Sequence, residues 1–158
     1  MAFVFLFSAL VFAQSSPNLQ FRGAPTSKHA DIAASPADLS GAAGAKIVLT
    51  VDVQPKPGIH VYAPGARDYL PIALKVESTR GVTAGKLTYP KSQTLTFEGQ
   101  KIPVYDRPFR LTQEVTLDRS LKAGDTLTVT GTLNYQACTD EVCFIPASAP
   151  LRWMLTIK

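Results

Sequence analysis

Cys138 and Cys143 are the residues of this chain best suited to chemistry, and both lie in the stretch NYQACTDEVCFIP, residues 134–146. Four residues separate them, so a disulfide between them closes a very small loop. In the chain-entropy account such a loop stabilises a fold by about 2 kcal/mol, at the low end for disulfides. A staple that holds a β-sandwich together bridges distant strands instead. The pair is therefore poorly placed for global stability. It is better placed for a bond that opens and closes with little change in the core. At a hairpin tip the sulfurs would lie within reach of a partner's thiolate. Asp140 and Glu141 stand between the cysteines, and their negative charge disfavours a thiolate there. This suits a disulfide attacked by a partner that brings its own activated thiol. The spacing alone leaves a structural loop staple open beside the redox reading.

Other chemistries find less support. Zinc would need His29 and His60 beside the two cysteines, and His29 falls in a segment read as a mobile arm and is expected to be solvated. A blue-copper site needs two His, and none follows Cys143. No metal and no cofactor is expected. Serine-nucleophile motifs, phosphate-binding glycine loops and His-Glu metal motifs are absent. The formal charge is +4, but Lys and Arg are scattered, so nucleic acid is not an expected partner.

The elements that must position the pair read as strands between turn signals. KIVLTVDV places Ile47, Leu49, Val51 and Val53 on one face. FRLTQEVTL does the same for Phe109, Leu111, Gln113, Val115 and Leu117. DTLTVTGTLNYQA aligns Leu127, Val129, Gly131, Leu133 and Tyr135, and LRWMLTIK aligns Leu151, Trp153, Leu155 and Ile157. Shorter runs fall at IHVYA, LPIALKVES, GVTAGKLTYP and TLTFEG, each bounded by Gly or Pro. Seven to nine strands and no helix predict an all-β fold, an antiparallel β-sandwich of immunoglobulin-like type.

Residues 1–13, MAFVFLFSALVFA, are almost wholly apolar and too short to span a bilayer. They read as a signal peptide with Val11 and Ala13 as small residues before a cut, although no Lys or Arg precedes the run. Residues 14–44, rich in Ser, Pro, Ala and Gly, read as a flexible arm or linker whose last residues pair on a sheet edge. The domain proper is expected over 45–158. Export to a periplasmic or secreted location follows, with no stable membrane insertion after cleavage and a compartment where disulfides persist.

Taken together, YQACTDEVCFIP, PGIHVYAPG (57–65) and TFEGQKIPVYDRP (96–108) resemble the N-terminal periplasmic domain of the thiol:disulfide interchange protein DsbD. The likeness runs in order from about residue 45 to the last residue. It implies an immunoglobulin-like domain with a redox-active disulfide, here Cys138 and Cys143. In the family this domain takes electrons from a thioredoxin-like domain and reduces periplasmic disulfide-bearing proteins. The resemblance assigns the mixed disulfide to Cys143. It implies a cap over the disulfide at Phe97 and a bordering aromatic at Tyr62, with His60 where some members have another aromatic; Tyr135, in the Tyr-Gln-x-Cys start of the motif, is a further candidate, and ordinary core packing is the alternative for Phe97, Tyr62 and Tyr135. The family's membrane-embedded and thioredoxin domains are not in these 158 residues, so a stand-alone version supplied by a separate donor is expected. The spacer between the cysteines is one residue shorter than in some members. A non-catalytic adaptor sandwich with a structural disulfide is the alternative.

Overall fold

The structure is a computed structural model, and it describes residues 28–158. The segment read as a signal peptide, residues 1–13, lies outside the described residues, as does residue 14 to residue 27 of the arm. Twelve strands run in chain order: β1 (Ala30–Ala34), β2 (Asp38–Gly41), β3 (Lys46–Pro55), β4 (His60–Tyr62), β5 (Ala73–Val76) and β6 (Val82–Thr88). They continue as β7 (Gln93–Phe97), β8 (Gln100–Tyr105), β9 (Phe109–Leu117), β10 (Thr126–Tyr135), β11 (Ala137–Cys138) and β12 (Ala147–Ile157). Three sheets result, with strand orders β1-β3-β9-β6, β2-β12-β10-β5 and β11-β4-β8-β7. The fold is all-β and immunoglobulin-like. Its strands pair antiparallel except β2, which runs parallel beside β12.

The long strands form where the alternation is cleanest. Leu49, Val51 and Val53 of β3 and Leu111 and Val115 of β9 turn inward from the first sheet. Val129 and Leu133 of β10 and Leu151, Trp153 and Leu155 of β12 turn inward from the second. Each such side chain stabilises the fold by roughly 1.5–3 kcal/mol through burial. Trp153 also ties the two sheets together, because its indole Nε1 donates to the Thr50 carbonyl at 3.2 Å. Gly131 sits beneath that ring. A Cβ there would stand 2.9 Å from the Lys75 carbonyl oxygen and 3.2 Å from Trp153 Cζ3, so only glycine fits between β5 and the indole.

Gln113, in phase with the apolar residues of β9, is buried. The pairing of β6 with β9 is irregular between Ala84 and Leu87. The amide Nε2 of Gln113 donates to the Gly85 carbonyl inside that irregularity, at 2.9 Å. A side-chain donor thus replaces the ladder bond that the bulge removes.

Part of the stretch read as an arm is folded. β1 pairs with β3 from Ala30↔Pro55 to Ala34↔Val51, and Ala30 and Ile32 are fully buried. β2 then joins the second sheet beside β12. Small alanines conceal this pairing in the sequence: Ile32 is the one large apolar side chain that β1 buries, so no run of branched residues marks its inward face.

Candidate functional site

The cysteines sit on the third sheet, whose strands are short. β11 pairs with β4 through Ala137↔Val61 and Cys138↔His60. After Cys138 the chain reverses through Thr139–Val142 and returns at Cys143, which faces Cys138 as an isolated antiparallel bridge. The local sequence dictates this hairpin. Thr139 Oγ1 accepts from the backbone N–H of Glu141 at 3.2 Å and of Val142 at 3.0 Å, the pattern of a hydroxyl that closes a turn. The Thr139 N–H donates to the Val142 carbonyl at 2.8 Å, and the Phe144 N–H donates to the Ala137 carbonyl at 2.9 Å. Gln136 braces the base of the hairpin, with Nε2 donating to the Phe144 carbonyl and Oε1 accepting from the Leu70 N–H, each at 3.3 Å.

Cys138 and Cys143 are joined as a disulfide, their Cα atoms 4.1 Å apart. The two sulfurs occupy unlike surroundings. Cys138 is completely buried in a cluster with Tyr62, Ala66, Ile102 and Val104, against which Tyr69 and Leu95 pack. Cys143 is exposed. A cleft of about 310 Å³ opens beside it, bounded by Tyr62, Tyr69 and His60 on one side, Leu95 to Phe97 on another, and the 139–143 turn. Backside attack by an external thiolate is therefore open at Cys143 and closed at Cys138.

Tyr62 is a polar neighbour of the exposed sulfur, with its Oη 3.3 Å from Cys143 Sγ. A disulfide sulfur has no proton, so the phenol donates. Burial, with a smaller contribution from the charge and hydrogen bond of Tyr69, pushes the Tyr62 pKa up to about 12, which keeps this donor protonated at any physiological pH. Tyr69 stacks on Tyr62 with ring centroids 4.1 Å apart. His60 meets Tyr62 edge to face at 5.6 Å. Burial lowers the His60 pKa below its ordinary value, while the charges of Asp140 and Asp106 oppose that shift.

Phe97 lies at the opposite rim, at the tip of the β7–β8 hairpin. Phe97 pairs with Gln100, which leaves Glu98 and Gly99 as a two-residue loop with φ of 48° and 80°. Positive φ at both positions is what a type I′ turn requires, and it explains the Glu-Gly pair. The Phe97 ring lines the cleft and is 47% exposed.

Of the residues singled out from sequence, Cys138, Cys143, His60, Tyr62 and Phe97 are brought to this one sheet. Tyr135 goes elsewhere. It continues the inward alternation of β10 and is buried in the main core, outside the cleft lining. The sequence reading missed Tyr69, which reaches Tyr62 from an irregular loop where Asp68 takes a left-handed φ of 65°. It also misplaced His29. Far from being merely solvated, the ring stacks on Phe144 at 3.9 Å, next to Cys143.

Comparison with known proteins identifies the family of the chain. Residues 32–150 match the family described as thiol:disulfide interchange protein DsbD, N-terminal. The N-terminal periplasmic domain of ScsB from Proteus mirabilis superposes with a TM-score of 0.56 at 17% identity. That match covers 82% of this chain, which spans 47% of the ScsB structure. The DsbD N-terminal domain of Neisseria meningitidis in its reduced form gives a TM-score of 0.42 at 19% identity, covering 70% of this chain and 78% of that one. No curated protein sequence gives a significant match.

Proposed function

Since this chain belongs to the family of DsbD N-terminal domains, a thiol–disulfide interchange family, we propose that it is an exported electron carrier working through the Cys138–Cys143 disulfide. A thioredoxin-like donor reduces it, and it in turn reduces disulfide-bearing proteins of the periplasm. The observation that carries the reading is the asymmetry of the pair: an exposed Cys143 beside a cleft, bonded to a fully buried Cys138.

The reaction follows from that geometry. The donor's thiolate attacks Cys143 Sγ, a new sulfur–sulfur bond forms, and the old bond breaks with its electron pair on Cys138 Sγ. A second donor thiol then attacks the donor sulfur of the mixed disulfide. Cys143 leaves as a thiolate, both domain cysteines are reduced, and the donor is oxidised. Tyr62 donates to Cys143 Sγ and would stabilise that developing thiolate. Phe97 shields the cleft against unproductive thiols. Asp140 and Glu141 keep the free thiol only weakly activated, so that exchange depends on the partner.

The test is trapping. With Cys138→Ala, whose Cys143 has first been converted to a mixed disulfide with thionitrobenzoate, a thioredoxin-like donor lacking its resolving cysteine should displace the thionitrobenzoate and be captured as a mixed disulfide through Cys143. Capture only through Cys138, in the reciprocal Cys143→Ala protein, would reverse the assignment.

A further inference from the structure

The buried cysteine poses a problem that the exposed one does not. When the reduced domain passes electrons on, Cys143 attacks the acceptor's disulfide, and Cys138 must then resolve the mixed disulfide as a thiolate. Its sulfur is completely buried, out of reach of hydroxide or a buffer base. A proton leaving Cys138 needs an acceptor within the protein.

His60 is placed to be that acceptor. It stands directly opposite Cys138 in the β11–β4 pairing, so the two side chains are cross-strand neighbours. It is itself only 6% exposed, yet its ring borders the cleft that opens on Cys143. The groups around it favour the product of proton transfer. Asp140, from the cysteine hairpin, and Asp106, just after β8, both act on His60 to favour its charged form. Glu141 lines the same cleft, and the remaining titratable neighbours there are the phenols of Tyr62 and Tyr69. Burial favours the neutral imidazole, the form a base requires.

Resting on the exchange reading above, we propose that His60 is the base that takes the proton from Cys138 as this thiol resolves a mixed disulfide at Cys143. The Cys138 S–H bond breaks and His60 becomes imidazolium. The Cys138 thiolate attacks Cys143 Sγ, the internal disulfide re-forms, and the acceptor leaves as a thiolate. The acceptor's disulfide is the oxidant, and the domain's two thiols supply the two electrons. The imidazolium then returns its proton to solvent through the cleft.

The test uses the reduced full-length chain mixed with excess dithiobis(nitrobenzoate), an aromatic disulfide whose released thiolate is coloured. The first release reports attack by Cys143 and scales with probe concentration. The second, from resolution by Cys138, should not depend on probe concentration. In the wild type its rate should fall with acid below the ordinary range of a histidine. His60→Phe, which keeps an aromatic ring, and His60→Gln, which keeps a polar side chain, should each slow the second release about a hundredfold at neutral pH. Both should move its profile to more alkaline pH. Second-phase rates and pH profiles equal to wild type in either variant would overturn the role of His60 while leaving exchange intact. A wild type with no concentration-independent release would overturn the exchange reading and this inference with it.

Discussion

The two large sheets and the small third sheet of this molecule are built on different terms. Between the large sheets, aliphatic side chains and Trp153 fill a continuous core, and long strands pair over as many as ten positions. In the third sheet β4 and β11 pair over two residues, a small cluster of Tyr62, Ala66, Ile102 and Val104 packs on Cys138, and Phe97 and Val142 line an open cleft while exposed to solvent. The first region holds the fold. The second carries a bond whose making and breaking need not be felt by the first. A redox pair confined to one hairpin is protected from becoming a switch for global unfolding, and the scaffold is protected from the chemistry.

Perturbing each region in turn should separate these roles. The largest effect is expected in the core. Trp153→Ala removes a fully buried indole and its bond to Thr50, and should cost about 3–5 kcal/mol of unfolding free energy, read from denaturant midpoints. Opening the disulfide with a reductant should cost only about 2 kcal/mol, with the domain still folded by near-ultraviolet circular dichroism. Wholesale unfolding on reduction would erase the distinction between the regions.

A smaller effect is expected from His60. Burial places its folded pKa below the unfolded value near 6.5. Between those two values the unfolded chain binds more protons, so stability is complete above 6.5 and declines as pH falls through the window. His60→Phe should flatten that decline, which chemical denaturation at a series of pH values would reveal. The smallest change in stability is expected at Phe97. Phe97→Ala should leave the midpoint within about 0.5 kcal/mol, as at other exposed positions. It should nevertheless speed reduction of the disulfide by a small thiol, and an unchanged rate would remove its capping role.

The sequence carried the first region more legibly than the second. β3, β9, β10 and β12 announce themselves because a strand buried on one face must alternate, and theirs do so without interruption. β1 is silent, because its alanines give little periodic signal and Ile32 is the one large apolar side chain it buries. In the site, the cysteine spacing and the Glu98-Gly99 turn were readable from local chemistry. Which sulfur is buried was not, since it depends on the packing of Ile102, Val104 and Tyr62 from other strands. Tyr69 reaches Tyr62 from an irregular loop and His29 reaches Phe144 from just before β1, where no periodicity marks a partner. Tyr135 shows the converse. Its place in the Tyr-Gln-x-Cys start of the motif suggested the site, while its phase in β10, equally legible, sent it to the core.

The central claim is that the Cys138–Cys143 disulfide works by exchange. Its reduction potential, measured by equilibrating the protein in thiol redox buffers, tests this most directly. The account predicts a value among those of exchange proteins, roughly −180 to −270 mV. A value below about −300 mV would mark a structural bond and contradict it.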